Sequence, residues 1–214
     1  MSEQQQPHDD DDIAVPETGW HVDALWQQLS PLLPGISIEV LARSESTNTA
    51  LLERVRSKSN SSGGGSGAAE PQSYGRRVHD LQPCLLVAVH QTQGRGRLGR
   101  SWVSSAGGSL TFSLGLVLDM PDWSGLSLAV GCAVAEALEP LGDPLPAGQA
   151  PRLQLKWPND IWLVDDDGAG RKLGGILIET VQAGAQRMAV VGIGLNVSEQ
   201  AAPAESASGV PVQF

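Results

Sequence analysis

Cations are scarce in this chain: 14 Lys and Arg stand against 24 Asp and Glu over 214 residues, a formal net charge of −10. A protein that coats nucleic acid needs a basic face to neutralise phosphates, so that activity is excluded as a general one. Aromatics make up 4% and cysteines number two. Two thiols cannot form a disulfide scaffold, and no Cys/His spacing suggests zinc. Cys84 and Cys132 both lie among apolar residues and are expected to be small buried thiols. Long hydrophobic runs are missing as well. The stretch from Leu126 to Leu138 is interrupted by Gly131 and Glu136 and falls short of the roughly 20 residues a membrane span requires. The acidic, Gln-rich start is not that of a signal peptide, which leaves a cytoplasmic location.

Apolar residues reach 41%, enough for one buried core at this length. The acid is clustered, because Glu3, Asp9, Asp10, Asp11, Asp12 and Glu17 precede any Lys or Arg. Such a run repels itself and offers nothing to a core, so residues 1–18 are expected to be a disordered acidic tail. Residues 19–214 then form the domain. Within it, the Ser59–Gly67 tract of Ser, Asn and Gly marks 57–80 as a flexible loop insertion.

Hydrophobic periodicity changes repeatedly along the rest. Val22, Leu25, Trp26 and Leu29 are spaced for a helix that Pro31 and Pro34 stop. Ile36 to Leu41 alternates as a strand, and Ser46-Thr47-Asn48 supplies the N-cap of a helix carrying Ala50, Leu51, Leu52 and Val55. Leu85 to Val89 and Ser109 to Leu118 read as strands. Leu126 to Leu141 returns to a helical period. Leu153 to Trp157, Ile161 to Val164, Lys172 to Thr180 and Arg187 to Leu195 are four successive strands, with Asp165–Gly170 as a hairpin turn. The six Trp are mostly candidates for the core. The fold class is α/β (α+β), with a mixed, largely antiparallel sheet flanked by helices.

Four segments carry chemistry. Gly94-Arg95-Gly96-Arg97, with Gly99-Arg100 and Trp102 behind it, follows a buried strand. Glycines let backbone N–H groups approach an anion, and guanidinium forks neutralise phosphate or carboxylate. Read alone, the run is equally a solvated loop or an RNA-binding tract. In Lys156-Trp157-Pro158-Asn159-Asp160, Pro158 and Asn159 favour a turn, and Lys172 begins the returning strand. A closed hairpin would gather Lys156, Asp160 and Lys172 at one end of the sheet, a mixture that suits a metal-nucleotide. Ser46, Thr47 and Asn48 have a full explanation as a helix cap. Gly192 and Gly194, alternating before Asn196, clear one face of a strand for a flat ligand or for close packing.

Taken in order, these segments resemble the catalytic domain of the biotin protein ligases, the biotin–[acetyl-CoA-carboxylase] ligases, over about residues 36–197. The resemblance implies the class II aminoacyl-tRNA synthetase/biotin ligase catalytic fold. It also implies a two-step reaction: biotin and MgATP give biotinyl-5′-AMP, and a lysine of a biotin carboxyl carrier domain then takes the biotinyl group. By the same resemblance Ser46, Thr47, Asn48 and Gln91 hold the biotin head group, with room left by Gly175 and Gly194. Gly94, Arg95, Gly96 and Arg97 wrap the carboxylate and α-phosphate. Lys172 contacts the reacting oxygens and is, with Arg97, the implied catalytic residue. Arg100, Trp102, Lys156, Asn159, Asp160 and Asn196 line the ATP side, where Trp102 stacks on adenine and Asp160 meets Mg2+ through MgATP.

The sequence departs from that family at both ends. Too few residues precede Ile36 for a winged helix-turn-helix, so DNA binding is not expected. Eighteen residues follow Asn196, so the family's small C-terminal β domain is expected to be absent. An inactive truncated core and a lipoate- or octanoate-type ligase are the alternatives, and a noncatalytic RNA-binding module is the rival from another class. A homodimer stays open, and no membrane partner is expected.

Overall fold

The computed structural model describes residues 20–57, 72–74, 81–139, 152–165, 168–183 and 185–198. In chain order these form α1 (Val22–Leu29), β1 (Ser37–Ser44), α2 (Thr47–Ser57), β2 (Gln72–Tyr74) and β3 (Cys84–Gln91). A short ribbon follows, β4 (Gly94–Arg95) and β5 (Ser101–Trp102), around a 3-10 turn at Arg97–Gly99. Then come β6 (Ser109–Val117), α3 (Leu126–Leu138), β7 (Leu153–Lys156), β8 (Asp160–Val164), β9 (Gly170–Ala183) and β10 (Gln186–Asn196).

Eight strands make one sheet in the order β2-β1-β3-β6-β10-β9-β8-β7, and β4 pairs with β5. Only β1 and β3 run parallel among the described pairs. A parallel pair needs a crossover, and α2 supplies it. The four expected strands from Leu153 onward form a meander. Its β8–β9 turn closes with Asp165 N–H donating to Ala169 O at 2.8 Å and Gly168 at φ +82.

β10 shows how the layers divide. Its residues point alternately to the two faces of the sheet. Met188 and Val190 pack with Leu51, Leu52 and Val55 of α2, together with Leu86 and Val181. Ala189, Val191, Ile193 and Leu195 pack on the other side with Ile161, Ile176 and the α3 residues Val130 and Val134. Beside that second cluster, Val40, Val87 and Val89 meet Trp20 and Val22 near α1. The helices therefore cover both faces, and the apolar half of each β10 face is occupied. Each fully buried Leu or Ile of these clusters contributes about 1.5–3 kcal/mol.

Several expectations are corrected. Cys84 is buried but Cys132 is exposed, because α3 contacts the sheet along Val130, Gly131 and Val134, and Cys132 turns away from that stripe. A Cβ on Gly131 would lie 2.8 Å from Leu155, so this glycine sets the close helix–sheet approach. The helix ends at Leu138, short of Leu141, and Leu138 is itself exposed. Five of the six Trp are half-buried and Trp157 is 78% exposed, since it occupies the tip of the β7–β8 turn beside the cis Trp157–Pro158 peptide. Within the 57–80 insertion, Gln72–Tyr74 pairs antiparallel with β1 as an edge strand. Ser57 ends α2, and residues 58–71 and 75–80 of that insertion, residues 1–18 and residues 199–214 lie outside the described residues.

Candidate active site

Strand register assembles a feature that no single segment of sequence contains. Ala88 (β3), Thr111 (β6), Gly194 (β10), Gly175 (β9) and Asp160 (β8) are successive cross-strand partners. Gly194 shares the parity of Met188 and Val190, so this row lies on the α2 face beyond the apolar cluster. Small side chains and bare backbone make it the floor of a shallow trough. At roughly 4.8 Å per strand it runs about 19 Å from Ala88 to Asp160.

One end of the trough is a buried polar pocket at the start of α2. Ser46 caps the helix: its carbonyl accepts from Ala50 N–H at 2.9 Å and its Oγ from Thr49 N–H at 3.4 Å. Gln91, at the end of β3, uses Oε1 to accept from Thr47 N–H at 2.7 Å and Thr47 Oγ1 at 3.1 Å. Ser113, fully buried, places its Oγ 2.6 Å from both Thr47 Oγ1 and Asn48 Oδ1. Asn48 Nδ2 donates to Leu177 O and to Glu179 Oε2, both at 3.1 Å. Asn48 fits only because Gly192 lies beneath it, where a Cβ would strike the amide. Ser113 and Thr47 bring two hydroxyl protons to three oxygen–oxygen contacts, so one contact lacks a donor. A bound group offering an N–H would replace that contact, donating to the oxygen left without a proton.

The Arg/Gly ribbon stands over the trough. Gly94 pairs with Trp102, and a Cβ at Gly94 would run into the Trp102 carbonyl. Gly96 N–H donates to Arg100 O at 2.7 Å, while Leu98 (φ +57) and Gly99 (φ +73) turn the tip. The ribbon delivers the Trp102 ring onto the trough floor. A Cβ on Gly194 would be 2.5–2.9 Å from three indole atoms, and one on Gly175 would be 3.5 Å from the same ring. The two glycines thus make room for Trp102, whose indole N–H is buried with no partner among the described residues.

Beyond Trp102 lies the charged end. Lys172 Nζ is 2.9 Å from Asp160 Oδ1 and 5.8 Å from the Trp102 ring centroid. Lys156 is the cross-strand partner of Asp160, with its Nζ 3.9 Å from the Trp162 ring centroid. The expected gathering of Lys156, Asp160 and Lys172 at the hairpin is present. Asn159 and Asn196, expected on the ATP side, each donate one amide N–H within the fold. Asn159 Nδ2 donates to Ile176 O at 2.9 Å, and Asn196 Nδ2 to Lys172 O at 3.3 Å. Arg95 is held as well, by Glu179 and Thr49. Arg97 and Arg100 are exposed and form no ion pair among the described residues.

The family model of the biotin/lipoate A/B protein ligases matches residues 81–196, more than half of the chain and nearly all of this trough. The chain belongs to that family. It is 39% identical over 165 residues to the biotin–[acetyl-CoA-carboxylase] ligase of Mycobacterium tuberculosis, covering 76% of this chain and 50% of the relative. The bifunctional ligase/repressor BirA of Escherichia coli K12 is 34% identical over 175 residues, 80% of this chain and 44% of that protein. The chain thus spans about half the length of these curated relatives. Two crystal structures share the ligase fold: Helicobacter pylori biotin acetyl coenzyme A carboxylase synthetase with bound biotinylated ATP, and Leishmania major biotin protein ligase in complex with biotin. The first aligns with a TM-score of 0.51 and 29% identity, covering 76% of this chain and 62% of that one. The second aligns with a TM-score of 0.51 and 26% identity, covering 83% and 61%.

Proposed function

We propose that this chain is the catalytic core of an ATP-dependent biotin protein ligase acting in the cytoplasm. In the first step a carboxylate oxygen of biotin attacks the α-phosphorus of ATP, the bond to pyrophosphate breaks, and biotinyl-5′-AMP remains. In the second, the neutral amine of a lysine on a biotin carboxyl carrier domain attacks the acyl carbon. An amide forms, AMP leaves with the bonding pair, and the amine's proton passes to solvent.

The observation that carries this reading is the trough itself, with a buried donor–acceptor pocket at one end and the Asp160–Lys172 pair at the other. A cyclic urea has N–H donors and a carbonyl acceptor, the complement of a pocket that is one proton short around Thr47, Gln91 and Ser113. A carboxylate chain reaches Lys172 along the Gly194 and Gly175 floor once the Trp102 ring, which covers both glycines here, moves aside. There two anions must meet, and preset positive charge offsets their repulsion. Lys172 and Arg97 take that role, with Arg100, Lys156 and the Trp102 ring on the nucleotide side. Asn159 and Asn196 shape the site by holding the β7–β8 turn and the start of β9.

Magnesium suits this site only as part of MgATP. Among the described residues no three His, Cys, Asp or Glu side chains converge. Asp160 is a single carboxylate, which fits an ion that keeps water and phosphate as its other ligands. Bound there, the ion would neutralise phosphate charge.

The test incubates the full chain with α-labelled ATP and either biotin or lipoate, then adds a carrier domain. Biotinyl-AMP followed by a biotinylated carrier is the expected result. Adenylate from lipoate alone moves the substrate to the other branch of the family, and none from either acid refutes the ligase reading.

A further inference from the structure

Glu179 lies on β9 facing α2, in register with Val190 of the apolar cluster, and nothing in its sequence context marks it as functional. Its two carboxylate oxygens serve different segments. Oε1 accepts from Arg95 Nη2 of the ribbon at 2.8 Å, and Oε2 accepts from Asn48 Nδ2 of the polar pocket at 3.1 Å. Arg95 also donates from Nη1 to Thr49 Oγ1 at 3.2 Å, so the guanidinium spans from the first turn of α2 to β9. One carboxylate therefore joins the ribbon, the helix start and the sheet.

We propose that Glu179 is a positioning residue that ties the Arg/Gly ribbon to the polar pocket through Arg95 and Asn48. Arg95 belongs to this tie, and contact with the substrate anions falls to Arg97 and Lys172. Any group that settles Asn48 in place also settles Glu179, and with it the ribbon over the trough. The effect on catalysis rests on the ligase reading above, whereas the tie itself does not.

The experiment uses the full chain and the variants Glu179→Gln, Arg95→Met and their combination. Brief trypsin treatment without ligand, read by mass spectrometry, follows cleavage after Arg97 and Arg100 relative to cleavage after Arg187. Arg187 sits exposed at the start of β10, away from the Glu179 contacts, so the ratio discounts a general loosening of the chain. Glu179→Gln should raise the ratio about fivefold, the scale of one charge-assisted bond at a half-exposed site. In adenylate formation it should raise the KM for biotin about tenfold and change kcat less than about threefold, because Glu179 does not touch the reacting atoms. The double variant should match the single variants within about twofold. An unchanged cleavage ratio, additive losses in the double variant, or a fall in kcat at constant KM would each overturn the proposal. If the wild-type chain makes no adenylate, the ligase reading fails and the cleavage ratio alone decides the tie.

Discussion

Gly192→Ala offers the sharpest test of how the pocket is built. Its new methyl would meet the Asn48 amide, with the carbonyl carbon 2.9 Å away and the nitrogen 3.1 Å away. β10 cannot retreat, since it is paired with β6 on one side and β9 on the other. The amide must therefore move and give up some of its bonds to Ser113, Leu177 and Glu179. Overpacking costs about 1–3 kcal/mol, and each buried bond surrendered costs about 1 kcal/mol more. The expected loss is about 3–5 kcal/mol, a fall in Tm of roughly 6–20 °C for a chain of this size. Thermal melts of the single variant, of Asn48→Ala and of the double variant measure it. In the Asn48→Ala background the three closest atoms are gone, so there Gly192→Ala should cost less than about 1 kcal/mol. An equal loss in both backgrounds would refute the reasoning, because the damage would then come from the strand and not from the amide.

Two further outcomes follow from the site and the helix. Lys172→Ala should cut the rate of biotinyl-AMP formation about 10²–10³-fold, the scale of losing one preset charge at the reacting centre. Its Tm should change little, because the pair with Asp160 is partly exposed; pyrophosphate release at near wild-type rate would remove Lys172 from its assigned role. A maleimide should label Cys132 in the native chain and Cys84 only in denaturant, and mass spectrometry showing two labels on the folded protein would contradict the burial of Cys84.

Much of this was legible before the fold was known. The strands from Leu153 onward declared themselves by apolar runs between turn signals, and the turn at Pro158 did place Lys156 opposite Asp160. What could not be read was register. Ala88, Thr111, Gly194, Gly175 and Asp160 come from five strands, and only long-range pairing brings them into one row. Ser113 was missed because Ser109, Thr111 and Ser113 alternate with Leu110 and Phe112, the pattern of a strand with one wet face. Here that polar face is buried, and Ser113 bonds to Thr47 and Asn48 of α2. Glu179 was missed for a similar reason, as a mid-strand carboxylate reads as solvated until Arg95 and Asn48 arrive from distant segments. Conversely, Trp157 and Cys132 look apolar in sequence yet project outward, since a turn tip and a helix's far side have nothing to pack against.

On the ligase proposal, the trough floor sets a limit on how acid preference can be re-engineered. Glycine is already the smallest residue, so substitution at positions 175, 192 or 194 can only raise the floor. A wider range of acids must come from the cover: the side chain at 102, the length of the ribbon that carries it, and the strength with which that ribbon is held down. Libraries directed at the sheet should mostly return unstable or narrowed variants, whereas libraries directed at residues 95–102 should change selectivity while leaving the core untouched.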